Sequence, residues 1–436
     1  MPDKRTAGIV PATYRPRIVD TQIERYMRIF GAVEIAGTKW CGKTWSARAH
    51  AASITYVDRN NNLAAASADP TLMLLGERPH VIDEWQLAPA VWDEVRHQVD
   101  DDPSSKGQWI LTGSSTPLHD HVPYHSGAGR IGRIRMNPMT MFELGLSSGE
   151  ISLAGLFNHE FHPARSSLDT MTLLAAVCRG GWPEAAEMDV DDAQTLIREY
   201  VRLTLTESVP RQGRSADVAR RLLASMARNL SQSVTFKTLR RDMYGAEDNL
   251  DDFISERTVS EYVSMFEDMF VIDPVPGWVP SARDPKRLRT KPRRYFADPS
   301  IAAAALGMNP HALVDDWQTF GFLFENMCVR DLLVYARALP QIGIEPVRYY
   351  HDDSGLECDV IIELADGRWA GIEIKASEDK VPSAVRSLNR MREKLLRNPA
   401  SRTREPEFLA VLVGVGEFAY RREDGIYVIP LGVLGA

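Results

Sequence analysis

Residues 30–51 read FGAVEIAGTKWCGKTWSARAHA, in which Gly37-Thr-Lys-Trp-Cys-Gly42-Lys43-Thr44 stands between a short apolar run over 33–36 and a stretch of helical character. Few local patterns constrain a chain more. G-x-x-x-x-G-K-T between strand and helix delivers backbone N–H groups around a phosphate chain, with the positive end of a helix aimed at the same place. In that arrangement Lys43 reaches the β- and γ-phosphates of a nucleoside triphosphate and the Thr44 hydroxyl meets Mg²⁺. Gly37, Gly42, Lys43, Thr44 and the adjoining Trp45 form the expected nucleotide-binding set. The fold that holds such a loop is α/β, with strands whose carboxyl ends share one edge.

A phosphate loop needs a carboxylate on the metal side, at the end of a neighbouring strand. RPHVIDEWQLAP, residues 78–89, supplies Asp83 for Mg²⁺ and Glu84 to polarise the attacking water. A third apolar strand in GQWILTGSSTP, residues 107–117, runs into Ser114 and Ser115. Either serine is placed to sense a γ-phosphate, and either also suits a Gly-Ser turn capped by its own hydroxyls. SGAGRIGRIRMNPMTMFELG, residues 126–145, then brings Arg130, Arg133 and Arg135. Arg130, directly after the Gly-rich turn, is the candidate for an arginine finger acting on a neighbouring subunit.

The order GTKWCGKTW, VIDEWQ, ILTGSS, GAGRIGRIRMNPMTMFELG is similar to a large bacterial and archaeal family in which an AAA-type ATPase precedes a C-terminal domain of unknown function. FGFLFENMCVRDLLVYA, RYYHDDSGLECDVII and GRWAGIEIKAS resemble recurring segments of that second domain. The resemblance covers nearly the whole chain and implies four parts. These are an AAA-type core over 1–160, a helical lid over 161–210, a winged helix over 211–282 and a restriction-endonuclease-like α/β domain of the PD-(D/E)XK type over 283–436. It also implies assembly into a homo-oligomeric ring.

Helical periodicity supports the middle of this layout. DVARRLLASMARNLSQ carries an amphipathic face, a second short helix begins near Thr235, and Ser255 is placed as the N-cap of a third. The polar face of that third helix (Glu256, Arg257, Ser260, Glu261) is not basic, which counts against its reading a DNA groove. Further on, strands alternating through CDVIIE and AGIEIK put Asp359, Glu373 and Lys375 at strand positions, with Glu373 and Lys375 on one side. With Glu325 from the preceding helix, these are the residues a restriction-endonuclease-like metal site would use. Asp359, Glu373 and Glu325 would hold Mg²⁺, and Lys375 would orient the attacking water. Glu357, Asp352 and Asp353 add negative charge close by.

Two functional readings follow. In the first, an ATPase is coupled to DNA or RNA binding and to cleavage by the C-terminal site. SARDPKRLRTKPRR, residues 281–294, with seven Lys or Arg and a single acid, supports it. In the second, a nucleotide-controlled switch binds a protein partner through a nuclease-like domain that does not cut. A formal net charge of −8 favours this one. At 436 residues, 44% hydrophobic and 25% charged, the chain has the make-up of a multidomain globular protein. No apolar run spans a membrane, no secretion signal opens the sequence, and four scattered cysteines suggest neither zinc nor disulfides. A reduced, cytoplasmic setting is expected.

Overall fold

The computed structural model describes residues 9–113, 126–245, 254–281, 284, 287, 290–397 and 403–436. The chain divides into two compact units. The first comprises Met1–Pro138 with Asp268–Phe270, and the second Met139–Glu267 with Val271–Ala436.

In the first unit five parallel strands, β1 (Ala32–Gly37), β2 (Ser53–Tyr56), β3 (His80–Asp83), β4 (Trp109–Gly113) and β5 (Ile131–Met136), lie in the order β2-β3-β4-β1-β5. Strands β1, β3 and β4 are buried along their whole length, as near-continuous apolar strands covered on both faces should be. Helices α1 (Val19–Ile29) and α2 (Lys43–Ala49) pack Ile23 and Ala47 with Val33, Ile35, Val81 and Ile110 on one face. Helices α3 (Asn62–Ala68) and α4 (Ala90–Asp101) pack Ala66, Val91 and Val95 with Ala32, Ile82 and Leu111 on the other. Successive strand residues point to opposite faces, so one parallel sheet feeds both cores. All five strands run the same way, and the ends of β1, β3 and β4 therefore meet along one edge.

The second unit holds a seven-stranded mixed sheet. Its strands are β7 (Ala164–Arg165), β10 (Arg348–His351), β11 (Glu357–Glu363), β12 (Trp369–Ser377), β13 (Phe408–Val415), β14 (Phe418–Arg421) and β15 (Tyr427–Pro430). They lie in the order β10-β11-β12-β13-β15-β14-β7. Two smaller pairings, β6 (Ile151–Ser152) with β16 (Leu434–Gly435) and β8 (Ile272–Val275) with β9 (Arg293–Phe296), complete the strands described. The helices of this unit include α5 (Leu153–Phe157), α6 (Thr170–Arg179), α7 (Val190–Leu203), α8 (Ala216–Arg228), α9 (Phe236–Tyr244) and α10 (Glu256–Asp268). They continue with α11 (Pro299–Leu306), α12 (Pro310–Asp315), α13 (Trp317–Ala338) and α14 (Val381–Arg397). Hydroxyls cap the middle helices as their sequences suggest: Thr235 accepts from the Thr238 amide at 3.1 Å, and Ser255 from Thr258 at 3.1 Å. Helices α8, α9 and α10 are followed by the antiparallel β8–β9 pair, and the basic run falls between those two strands and into β9.

A buried charge network ties this unit together. Arg330 on α13 is fully enclosed between Asp298 and Asp331, both of which are also fully buried. Its Nη1 donates to Asp298 at 2.7 Å, while Nε and Nη2 donate to Asp331 at 2.9 and 2.7 Å. Asp298 also accepts from the Gly181 amide at 2.8 Å and caps α11 through the Ser300 amide. Asp331 accepts from the Met141 amide at 2.9 Å. At Gly181 a Cβ would stand 2.0 Å from the Met139 carbonyl oxygen, so the backbones of 139–141 and 180–182 approach only because no side chain intervenes. Removing one partner of such a pair strands the others in a medium that solvates them poorly. Arg330→Met is therefore expected to destabilise this unit by about 3–5 kcal/mol, and adding Asp298→Asn and Asp331→Asn should recover part of the loss. Urea unfolding of the three proteins tests this, with equal stability of wild type and Arg330→Met as the contrary result.

Candidate functional site

At the carboxyl edge of the first sheet the residues expected for nucleotide binding converge. The loop after β1 turns through Trp40 (φ 65°) and Gly42 (φ 101°), and α2 begins at Lys43. A left-handed conformation is ordinary for Gly42 and strained for a tryptophan, and such strain is retained where the surroundings fix it. The Lys43 side chain is buried and donates to the Thr38 carbonyl at 2.7 Å, folded back into the loop. Trp40 and Trp45 each keep about two fifths of their surface exposed (42%) beside it.

Thr44 and Asp83 come together although β4 separates β3 from β1, the loop's own strand, in the hydrogen-bonding order. The Thr44 hydroxyl donates to Asp83 Oδ1 at 2.8 Å. A second hydroxyl, that of Thr112 at the end of the intervening β4, donates to the same oxygen. Burial pushes the Asp83 carboxyl above its ordinary pKa, the hydroxyls of Thr112 and Thr44 and the charge of Lys43 oppose this, and the neighbouring Glu84 adds to it. A buried carboxylate beside two hydroxyls and an ammonium is a donor set suited to Mg²⁺ bound with its phosphates and waters. Glu84 follows in a left-handed conformation (φ 56°) that turns the chain at the strand end, and the Gln86 side-chain amide donates to its carboxylate. At Gly113 a Cβ would stand 2.7 Å from the Gln86 side-chain oxygen, so a larger residue there would displace the Gln86 amide.

Thr112 and Gln86 were not foreseen as members of the site, nor was Arg17. The Arg17 guanidinium is buried and donates at 3.0 Å to the Cys41 carbonyl of the phosphate loop and at 3.0 Å to the Asn137 carbonyl beyond β5. It fixes the loop from behind. Only the position of Thr112, last polar residue of an apolar strand, carried a signal in the sequence.

The other candidates fare differently. Ser114 and Ser115 lie outside the described residues. Arg130 precedes β5 and so stands at the opposite edge of the sheet from its own phosphate loop, paired with Asp100 at 2.7 Å. Arg133 is bound to Glu34, a carboxylate buried on β1 and pushed above its usual pKa by that burial. Arg135 lies over the Phe270 ring at 4.1 Å.

In the second unit the strands do bring Asp359, Glu373 and Lys375 together. Lys375 Nζ donates to Glu373 at 2.6 Å and to Asp359 at 3.2 Å, and the Ile374 amide donates to Asp359 at 2.9 Å. Helix α13, packed on β12, adds Glu325, whose carboxylate accepts from the Tyr295 hydroxyl at 2.7 Å. A further residue completes the cluster. Arg293, at the start of β9 and 7% exposed, reaches Glu357 at 2.5 Å, Asp359 at 3.4 Å and Glu325 at 3.8 Å, with its guanidinium 4.6 Å from the centre of the Tyr349 ring.

The titration behaviour follows from this crowding. Burial and the neighbouring Asp359 push Glu325 up to about 7 and Glu373 up to about 8. Burial also works to raise Asp359, but Lys375 and Arg293 outweigh it and hold that carboxyl below its ordinary value. Among the described residues no three His, Cys, Asp or Glu side chains are grouped so as to hold a metal ion. The oxygens of Asp359 are already taken by two cations and an amide, so the expected Mg²⁺ set of Glu325, Asp359 and Glu373 does not fit the ion in this arrangement.

Comparison with known proteins points to a nucleotide-binding domain in the first unit and to domains of unknown function in the second. Residues 30–145 match the AAA domain family. With Lys43, Thr44 and Asp83 converging as described, this part of the chain is an AAA-type P-loop nucleotide-binding domain. Residues 171–312 and 320–434 match two domains of unknown function, DUF8612 and DUF4143. An uncharacterized protein of Mycobacterium tuberculosis is 25% identical over 430 residues, covering 98% of this chain and 86% of its own. Among solved structures, the Walker-type ATPase PABY2304 of Pyrococcus abyssi is 13% identical with a TM-score of 0.43, covering 70% of this chain and 99% of its own. The RuvB Holliday junction branch migration motor of Thermotoga maritima is 16% identical with a TM-score of 0.28, covering 59% and 89%. No helix among the described residues is long and apolar enough to cross a membrane.

The bond from Thr112 to Asp83 yields a direct expectation. A hydrogen bond to a charged group is worth about 1.5–3 kcal/mol. Thr112→Val should then weaken the Mg²⁺-dependent part of ATP binding by roughly tenfold or more and leave metal-free ATP binding unchanged. Titration of a fluorescent ATP analogue with and without Mg²⁺ reads both, and equal losses in the two conditions would make Thr112 a sheet residue only.

Proposed function

We propose that the protein is a Mg²⁺-dependent ATPase whose nucleotide cycle drives a change in its C-terminal domains. The convergence of Thr44 and Thr112 on Asp83 carries this reading. Thr44 and Asp83 would hold the ion, which when bound neutralises charge on the β- and γ-phosphates. Lys43, now on the Thr38 carbonyl, exchanges that bond for phosphate oxygens when ATP enters. Glu84, steadied by the Gln86 amide, orients the attacking water and takes its proton. Trp45, partly exposed at the first turn of α2, borders the nucleotide. Arg130, at the far edge of the sheet, suits a finger offered to a neighbouring protomer in a ring, released from Asp100 on assembly. Ser114 keeps its proposed role as sensor of the γ-phosphate.

For the C-terminal half, which we read as a helical lid, a winged helix and a restriction-endonuclease-like domain, the switch is favoured over the nuclease. The basic run is one reason. Arg287 is paired with Glu363 at 2.7 Å, Arg294 with Glu267 at 3.2 Å, and Arg293 with the carboxylate cluster, so three of its arginines serve internal acids. The domain then binds a protein partner under nucleotide control and does not cut. Binding and cleavage of DNA or RNA is the reading it displaces.

Steady-state hydrolysis of ATP by the full chain tests both levels. Lys43→Ala should lose activity by about two orders of magnitude or more. Glu84→Gln should lose a comparable factor, about 10²–10⁴, while still binding ATP. Undiminished turnover in both variants would overturn the ATPase. Duplex DNA should leave the wild-type rate unchanged. Strong stimulation by DNA, absent from Lys43→Ala, would restore the nucleic-acid reading.

A further inference from the structure

The carboxylate cluster of the second unit is built around a cation that the chain itself supplies. Glu357 and Asp359 come from β11, Glu325 from α13, and all three lie within 4 Å of the Arg293 guanidinium. Lys375 occupies the remaining side of Asp359 and closes on Glu373. The buried Glu373 and the partly buried Glu325 and Asp359 face two cations, the buried Arg293 and the partly buried Lys375. Glu357 is half exposed and shares its charge with His351 at 3.5 Å and with solvent. Tyr295 and Tyr349 wall the guanidinium, the first through its hydroxyl on Glu325 and the second through its ring.

We propose that Arg293 holds the place of a divalent cation in this cluster, so that the domain binds no metal while Arg293 is seated and becomes a divalent-cation site when Arg293 is removed. A guanidinium delivers one fixed positive charge and planar donors to several carboxylates at once, which is the electrostatic service a bound metal would give a nuclease-like site. Unlike a metal it leaves no open position for water or phosphate. Arg293 belongs to β9, which pairs with β8 directly after the three helices α8–α10. The segment that seats it is therefore part of the helical region and not of the sheet that carries the acids. The inference concerns a site the ATPase does not use, so the failure of either leaves the other standing.

The sign of a stability change gives the first test. In a cluster awaiting a metal, neutralising one carboxylate relieves repulsion and stabilises the metal-free protein. In a cluster saturated by Arg293 and Lys375 the same change strands two cations. Asp359→Asn in the full chain is thus expected to lower Tm by several degrees without added metal, and an increase in Tm would overturn the proposal. The second test is Mn²⁺ binding without nucleotide, followed by the Mn²⁺ paramagnetic resonance signal. Wild type and Asp359→Asn should bind Mn²⁺ alike. Arg293→Met should gain one further Mn²⁺ ion per chain, lost again in Arg293→Met with Asp359→Asn. Mn²⁺ binding by wild type that Asp359→Asn abolishes would overturn the proposal. So would an Arg293→Met protein with a cooperative melt and no added ion. Should Arg293→Met not fold, the Asp359→Asn comparison in the wild-type background still decides the outcome.

Discussion

Arg330 cannot reach water, and its charge has to be cancelled where it stands. That requirement ties together segments of the second unit that are far apart in sequence. Asp331, its neighbour on α13, accepts two of its bonds and with the remaining oxygen holds the Met141 amide. Asp298 accepts the third and holds both the Gly181 amide and the start of α11. Four segments distant in sequence therefore meet at one guanidinium. Apolar packing tolerates small displacements, but a buried ion pair loses its balance as soon as a partner moves away. The glycine at 181 and the aspartate at 298 follow from this: one lets the backbones touch, the other supplies the charge.

Compensation of buried charge by a partner remote in sequence also separates what the sequence discloses from what it hides. The phosphate loop, the Asp83-Glu84 pair and the hairpin with Asp359, Glu373 and Lys375 were all legible, because each is a local pattern: spacing within one loop, the end of one strand, alternation along two. Thr112, Arg17 and Arg293 were not. Thr112 matters because β4 lies between β3 and β1, an order no local pattern states. Arg17 acts through two carbonyls, and carbonyl partners leave no trace in side-chain identity. Arg293 stands 66 residues before Asp359, inside a run of positive charges that reads as a surface feature.

That run shows how composition misleads at short range. Seven basic residues in fourteen suggest a face for phosphates. In the folded chain Arg287, Arg293 and Arg294 meet different acids, Glu363, the Asp359 cluster and Glu267, and the neighbours Arg293 and Arg294 part because successive residues of β9 point to opposite faces. The charges of these three arginines are met inside the fold, by acids on α10, β11 and α13.

The C-terminal cluster also has the spacing of a site made for a guanidinium. Mg²⁺ draws its oxygens to about 2.0–2.1 Å in a near-octahedral shell, which forces carboxylates close to one point. Here the acids stand off at 2.5, 3.4 and 3.8 Å from the nitrogens of Arg293, distances natural to a broad planar ion whose charge is spread over three nitrogens. With Arg293 seated, a metal finds no open position among Glu325, Asp359 and Glu357, because each of these carboxylates already lies within 4 Å of the guanidinium. The residue types of a cutting site and the geometry of a cutting site are separable, and in this chain Arg293 is what separates them.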